Sequence, residues 1–152
     1  MMEKVFNEIY DKFKLNFYRN IFRSFSDRES SLTASETFCT EVVKGLNKPT
    51  INQLGEFLRI SQPNTAYKVA NLVKKGYVTK TQSLEDKRVF FLDVTDKYIK
   101  YENIKYEYIN LVLARTRERF SDEEIEKFTE MLTVISNDLM PEISEFLEER
   151  KN

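Results

Sequence analysis

The chain has 152 residues, the length of one ordinary domain with a real hydrophobic core. Hydrophobic residues make up 41% and charged residues 32%, which excludes wholesale disorder, and 3 Gly with 3 Pro are too few for a turn-rich β fold. The net charge of −1 favours no partner, while the absence of His and the single Cys exclude His-based triads, an internal disulfide and Cys-rich zinc sites.

The first predicted element is a helix over 3–25. Phe6, Ile9, Tyr10, Phe13, Phe17 and Ile21 recur at steps of three and four and so share one face. The polar stretch Ser24 to Ser31 reads as a loop. Thr33-Ala34-Ser35-Glu36 has the capping-box pattern and starts a second helix at 34, which ends near Gly45. Phe38, Val42 and Leu46 define its expected apolar face, with Cys39 beside it. Thr50-Ile51-Asn52-Gln53 repeats the capping pattern for a short third helix carrying Leu54, Phe57 and Leu58. Ser61 is the natural N-cap of a fourth helix, and Pro63 is tolerated in its first turn. Ala66, Val69, Leu72 and Val73 are its expected core side, and Gly76 closes it.

After Gly76 the period becomes extended. Residues 77–81 and 88–94 read as two strands joined by a polar connector, a hairpin that is only marginally stable unless it rests on the helices. Thr95-Asp96 caps a long fifth helix, Ser121-Asp122-Glu123-Glu124 is a third capping box, and a last short helix follows Pro141 over 142–150.

Charge is unevenly spread along this order. Residues 44–88 hold nine bases against three acids, a net of +6, whereas residues 102–152 hold seven bases against thirteen acids, a net of −6. A basic middle and an acidic end suit a molecule with one surface turned to a polyanion and another turned away.

Helix, helix, helix, helix, hairpin is the order of a winged helix-turn-helix, with Arg59-Ile60-Ser61 as the turn. On the fourth helix Gln62, Asn64, Thr65, Lys68 and Asn71 are expected to point outward. Amides pair with adenine edges, a Thr methyl touches thymine, and Lys68 reaches guanine or phosphate. A merely solvated polar face would look the same from one helix alone. The hairpin tip adds Lys87 and Arg88, an arrangement suited to the narrow minor groove, with Asp86 two residues away to orient the guanidinium. The alternative there is an exposed turn ion pair of little consequence.

These residues resemble the MarR family of bacterial transcriptional regulators. The resemblance rests on Leu32-Thr33-Ala34-Ser35-Glu36, on Leu54 to Val78 ending in Lys74-Lys75-Gly76-Tyr77-Val78, and on Asp86-Lys87-Arg88-Val89-Phe90-Phe91-Leu92-Asp93-Val94-Thr95. It implies a mainly α fold with a small β-hairpin wing. A winged lobe over 33–95 would bind DNA, and helices over 1–32 and 96–152 would form a dimerisation region. It implies a homodimer on a palindromic double-stranded operator, with Arg88 in the minor groove, Asp86 positioning it and the start of the fourth helix reading bases. Arg59 stands where related motifs often carry Gly, which loosens the turn or supplies a phosphate contact. Asp93 stands where a base or neutral residue is usual.

The resemblance also implies control by a small aromatic or anionic effector, for which Phe13, Phe17, Tyr18, Phe38 and Tyr106 are candidate lining residues, with core packing as the alternative. Cys39 does not match the position of the family's oxidation-sensing Cys and reads as a small buried hydrophobe. No cofactor, metal site or enzymatic constellation is expected. No apolar run reaches the ~20 residues of a membrane span, and the acidic start lacks the features of a signal peptide, so a cytoplasmic chain without a membrane partner is expected. The competing class is a winged-helix module for protein–protein contact, which would not need the basic middle or the two bases at the tip.

Overall fold

Three capping boxes set three of the helix starts in the computed structural model, which describes residues 1–24 and 32–148. Thr33, Thr50 and Ser121 each accept the N–H of the residue three positions on, and Glu36, Gln53 and Glu124 each return a side-chain bond to the cap N–H. The helices are α1 (Met2–Ser24), α2 (Ala34–Gly45), α3 (Ile51–Leu58), α4 (Gln62–Lys74), α5 (Asp96–Arg119), α6 (Asp122–Asp138) and α7 (Pro141–Glu148). Strands β1 (Val78–Gln82) and β2 (Phe90–Val94) form an antiparallel hairpin, so the fold is mainly helical with a wing, as expected. The expected loop at 24–31 and the end of the last helix fall largely or partly outside the described residues.

The chain divides into two units, Ser24–Glu102 and Met1–Arg23 with Asn103–Asn152. In the first, Val43, Leu46, Leu54, Val69, Leu72, Tyr77, Val78, Leu92 and Tyr98 form the buried core. The hairpin rests on this core, as its marginal stability requires. Val78 pairs with Val94 and Gln82 with Phe90, and Thr50 bridges Phe91 to add a single outer rung. The start of α5 belongs to this unit. Thr95 begins α5 through its carbonyl, but its hydroxyl donates to the Gly76 carbonyl at 2.6 Å rather than capping the helix. Lys97 donates to the Lys75 carbonyl at 2.8 Å and lies over the Tyr77 ring.

The α4 terminus explains why β1 starts at Val78. Gly76 adopts φ 80°, Tyr77 N–H bonds Leu72 carbonyl, and Gly76 N–H bonds Val73 carbonyl, which is a Schellman ending. Tyr77 is therefore occupied by the helix end and is not the first strand residue. The second strand also starts later than its sequence suggests, because Arg88 is held in a turn.

In the other unit Phe13 meets Tyr108 edge to face at 5.7 Å, and Ser144 donates to the Ser136 carbonyl to link α6 with α7. Among its described residues Phe17 alone is buried. Phe6, Ile9, Tyr10 and Phe22 of α1 are exposed, as are Phe128, Met131, Leu132, Ile135, Leu139 and Ile143 of α6 and α7.

The face expected for α2 requires correction. Phe38 is 56% exposed, and the buried positions are Glu36, Cys39, Thr40 and Val43. Thr40 is buried without penalty because its hydroxyl donates to the Glu36 carbonyl at 2.8 Å. A polar pair thus occupies the face that apolarity alone assigned to Phe38.

Candidate nucleic-acid interface

Helices α3 and α4 meet through Gly55. A Cβ at this position would lie 2.7 Å from Thr65 Oγ1 and 3.0 Å from Gln62 Nε2, so any larger residue would have to displace these side chains. Arg59 ends α3 in the left-handed conformation, with φ 55° and ψ 44°, and Ile60 N–H bonds the Gly55 carbonyl. The turn is therefore as tight as a glycine would make it. Ser61 then caps α4 by accepting the Asn64 N–H.

The outward face of α4 differs from the sequence expectation. Thr65 is 0% exposed, and its hydroxyl donates to the Ser61 carbonyl at 2.9 Å. Satisfied in this way, it packs against Gly55 with Val69 and Leu72 and is not available to a base. Ala66, assigned to the core by its apolarity, is exposed, and Val73 is partly exposed. At about 100° per residue the side opposite Thr65, Val69 and Leu72 carries Pro63, Tyr67, Ala70 and Lys74. All four are exposed, Tyr67 at 69%.

The other expected residues flank this line. Gln62 and Asn64 are exposed and Asn71 is half-buried. Lys68 is turned back to α2, where its ammonium donates to Ser35 Oγ at 2.7 Å. Tyr67 is the residue that polarity-based reasoning missed. Its signal was present in the spacing Pro63, Tyr67, Ala70, Lys74 and appears once Thr65 is placed in the core.

The wing tip is built by side chain to backbone bonds. Asp86 Oδ1 accepts the Arg88 N–H at 2.9 Å, Val89 N–H bonds the Asp86 carbonyl, and Ser83 Oγ accepts the Glu85 and Asp86 N–H groups. The same carboxylate holds the Arg88 guanidinium in a fork, Nε on Oδ1 and Nη2 on Oδ2, both at 3.1 Å. The Arg88 side chain is nonetheless 91% exposed. Bonds from the Arg88 side chain and N–H keep the Asp86 carboxyl below its ordinary pKa, so the pair is charged at neutral pH. Lys87 is exposed beside it, and Leu84 stands fully exposed at the tip. Asp93 is paired with Lys48 at 3.5 Å, which neutralises the acid that departs from the usual pattern.

Glu36 and Lys75 tie α2 to the end of α4 at 2.6 Å. Burial pushes the Glu36 carboxyl up, but bonds from Lys75 and Thr33 outweigh it and hold the group below its ordinary range. Cys39 is buried, which pushes its thiol pKa up, with Glu36 adding to this and Lys68 opposing it. A protonated buried thiol is a poor nucleophile.

Of the candidate effector residues, Phe13 is half-buried, Phe17 buried, and Tyr18 and Tyr106 exposed, all in one unit. Phe17 and Tyr18 have their rings tilted at 6.0 Å. Phe38 belongs to the other unit. Among the described residues no group of His, Cys, Asp or Glu could hold a metal ion, and no helix is long and apolar enough to cross a membrane.

Comparison with known proteins agrees with this geometry. The chain is 25% identical over 141 residues to YkoM of Bacillus subtilis (strain 168), described as an HTH-type transcriptional regulator, covering 87% of this chain and 92% of the relative. Solved structures share the fold at lower identity. The Thermotoga maritima transcriptional regulator Tm0710 has a TM-score of 0.62 at 18% identity, covering 94% of this chain and 96% of that one. S. aureus MepR bound to ethidium bromide has 0.60 at 17%, covering 92% and 97%. Streptococcus pneumoniae FabT in complex with DNA has 0.59 at 19%, covering 91% and 97%. Residues 32–90, which span the three capped helices, the Gly55 contact and the wing tip, match the MarR family model.

Proposed function

We propose that the chain is a homodimeric regulator that binds a palindromic double-stranded operator. The lobe over 33–95 enters DNA, and the helices over 1–32 and 96–152 pair the protomers. The observation that carries the reading is the Asp86–Arg88 fork at the exposed wing tip of a helix-turn-helix lobe. A guanidinium already oriented by a carboxylate loses little freedom on entering a minor groove, where negative potential is concentrated. Within the helix-turn-helix, Ser61, Gln62 and Asn64 stand at the start of α4, where base edges are read, and Asn71 follows on its flank. Lys68, beside Ser35 at the first turn of α2, and Arg59 at the turn are placed for phosphate, and Lys87 accompanies Arg88.

The unburied helices of the other unit support the dimer, because their apolar faces need a cover and a two-fold interface supplies one. An aromatic or anionic effector lodged against Phe13, Phe17, Tyr18 and Tyr106 of the helical unit would act by changing the separation of the two recognition helices. The protein works in the cytoplasm.

The test is selection of bound sequences from a random DNA pool, then anisotropy titration of the enriched site. A palindrome with half-sites about 34 Å apart is expected. Arg88→Ala should weaken binding by more than about ten-fold with an unchanged circular dichroism spectrum. Lys68→Ala should weaken it across all sequences and reduce the salt slope by about one. A pool that enriches no sequence at low salt would favour a protein partner instead. Equal affinity of Arg88→Ala would remove the wing from the interface.

A further inference from the structure

We infer that Tyr67 and Ala70 are further specificity-determining residues of α4, and that they read thymine 5-methyl groups in the major groove. The inference rests on the DNA-binding reading and deepens it. Pro63, Tyr67, Ala70 and Lys74 form the line most distant from the lobe core, and all are exposed. Thr65, the residue that polarity would choose for a methyl contact, is fully buried against Gly55. The outermost line therefore offers a base an aromatic ring and a methyl group, with no charged side chain until Lys74.

Such a surface discriminates by apolar contact. Thymine alone presents a methyl group in the major groove, and Ala and aromatic side chains are its usual apolar partners. Ala70 is small enough to let the helix sit deep, and Tyr67 projects one turn nearer the N-terminus, the end that meets the bases. Asn64 and Asn71 flank the line and suit the adenine edges that accompany thymine. The chemistry points to half-sites rich in T·A pairs whose recognition depends on the methyl groups. The exposed Tyr67 ring leaves apolar surface in water, and covering it with a base would recover that free energy. Its place between the Ser61 cap and the basic end of α4 suits DNA as the covering surface.

The experiment uses the full-length chain and the operator enriched from a random pool, with deoxyuridine placed singly for each thymidine. Removal of a read methyl should weaken wild-type binding about three- to five-fold, the size expected for one buried methyl group. One or two positions per half-site should respond. Tyr67→Ala should bind about equally to the thymidine and deoxyuridine sites at one of those positions, while Tyr67→Phe keeps the discrimination. Affinity for non-operator DNA should be the same for all three proteins. Circular dichroism checks the fold, which an exposed side chain should not disturb.

Equal binding of wild type to every deoxyuridine site would overturn the inference while leaving DNA binding intact. Discrimination retained in both Tyr67→Ala and Ala70→Gly would do the same. A wild-type protein that enriches no operator would overturn the DNA-binding reading itself, and this inference with it.

Discussion

Arg59 holds a left-handed backbone that costs a non-glycine residue about 1–2 kcal/mol. Arg59→Gly relieves this strain but enlarges the freedom of the unfolded chain, which offsets about 0.4–1 kcal/mol of the gain. The net expectation is a stabilisation of about 0.5–1 kcal/mol, read as a higher midpoint in urea at unchanged slope. The same variant should bind operator more weakly, with a salt slope reduced by about one, because it removes a cation from the turn. A variant more stable and equally tight would mean that Arg59 touches no phosphate. Arg59 was legible as a departure from glycine, but the sequence suggested a looser turn, whereas the backbone is left-handed and tight. The identity of the buried residues was not legible. Ranking by polarity put Ala66 inside and Thr65 outside, and Phe38 inside ahead of Thr40. Both threonines bond the carbonyl four residues back and thereby lose the penalty that keeps hydroxyls at the surface. That cancellation depends on backbone geometry, which residue type does not encode.

Elements are joined by two contacts whose energetics can be separated. Gly55 lets α3 lie against Thr65, so Gly55→Ala should destabilise by about 1–3 kcal/mol through overpacking. The Thr65 oxygen is the nearest obstacle, so the double variant Gly55→Ala with Thr65→Ala should be more stable than the sum of its parts. Additive losses in a double-mutant cycle would place the clash elsewhere. The second contact is Glu36 with Lys75, between the start of α2 and the end of α4. Glu36 is held below its ordinary value of 4.5. Its stabilising contribution is therefore complete above that value and is lost as pH falls through the lower folded value. Glu36→Gln should cost about 1–2 kcal/mol at pH 7 and progressively less as pH falls below the ordinary value, measured by denaturant titration across that range. The starts of α2, α3 and α6 were readable to the residue because a capping box is a local signal. The Glu36–Lys75 pair was not, since its members lie 39 residues apart and meet only when the lobe has folded.

At the scale of the molecule, the basic stretch 44–88 lies in one unit and all but the first residue of the acidic stretch 102–152 in the other, and burial also differs between the units. The lobe has a closed core, whereas Phe17 is the one buried side chain among the described residues of the helical unit. The excess of apolar positions in α1, α6 and α7 was visible in the sequence as amphipathic periodicity. What it packs against was not, because periodicity identifies a face and not its partner. Helices in proteins draw most of their stability from packing an apolar face, and among the described residues these faces are largely uncovered. The proposed two-fold pairing would resolve this and link two reading lobes, so that the second lobe would bind its half-site at a high effective concentration. Phe22 and Leu139 are among the most exposed apolar residues of this unit. Phe22→Glu with Leu139→Glu should convert the dimer to monomer in sedimentation at micromolar concentration. It should also weaken binding to a full palindrome by about 10²-fold or more while leaving affinity for a single half-site nearly unchanged. The half-site measurement separates a lost interface from a damaged lobe. Equal loss on both DNAs would mean that the helical unit supports the fold of the lobe, and an unchanged dimer would place the interface on another face of these helices.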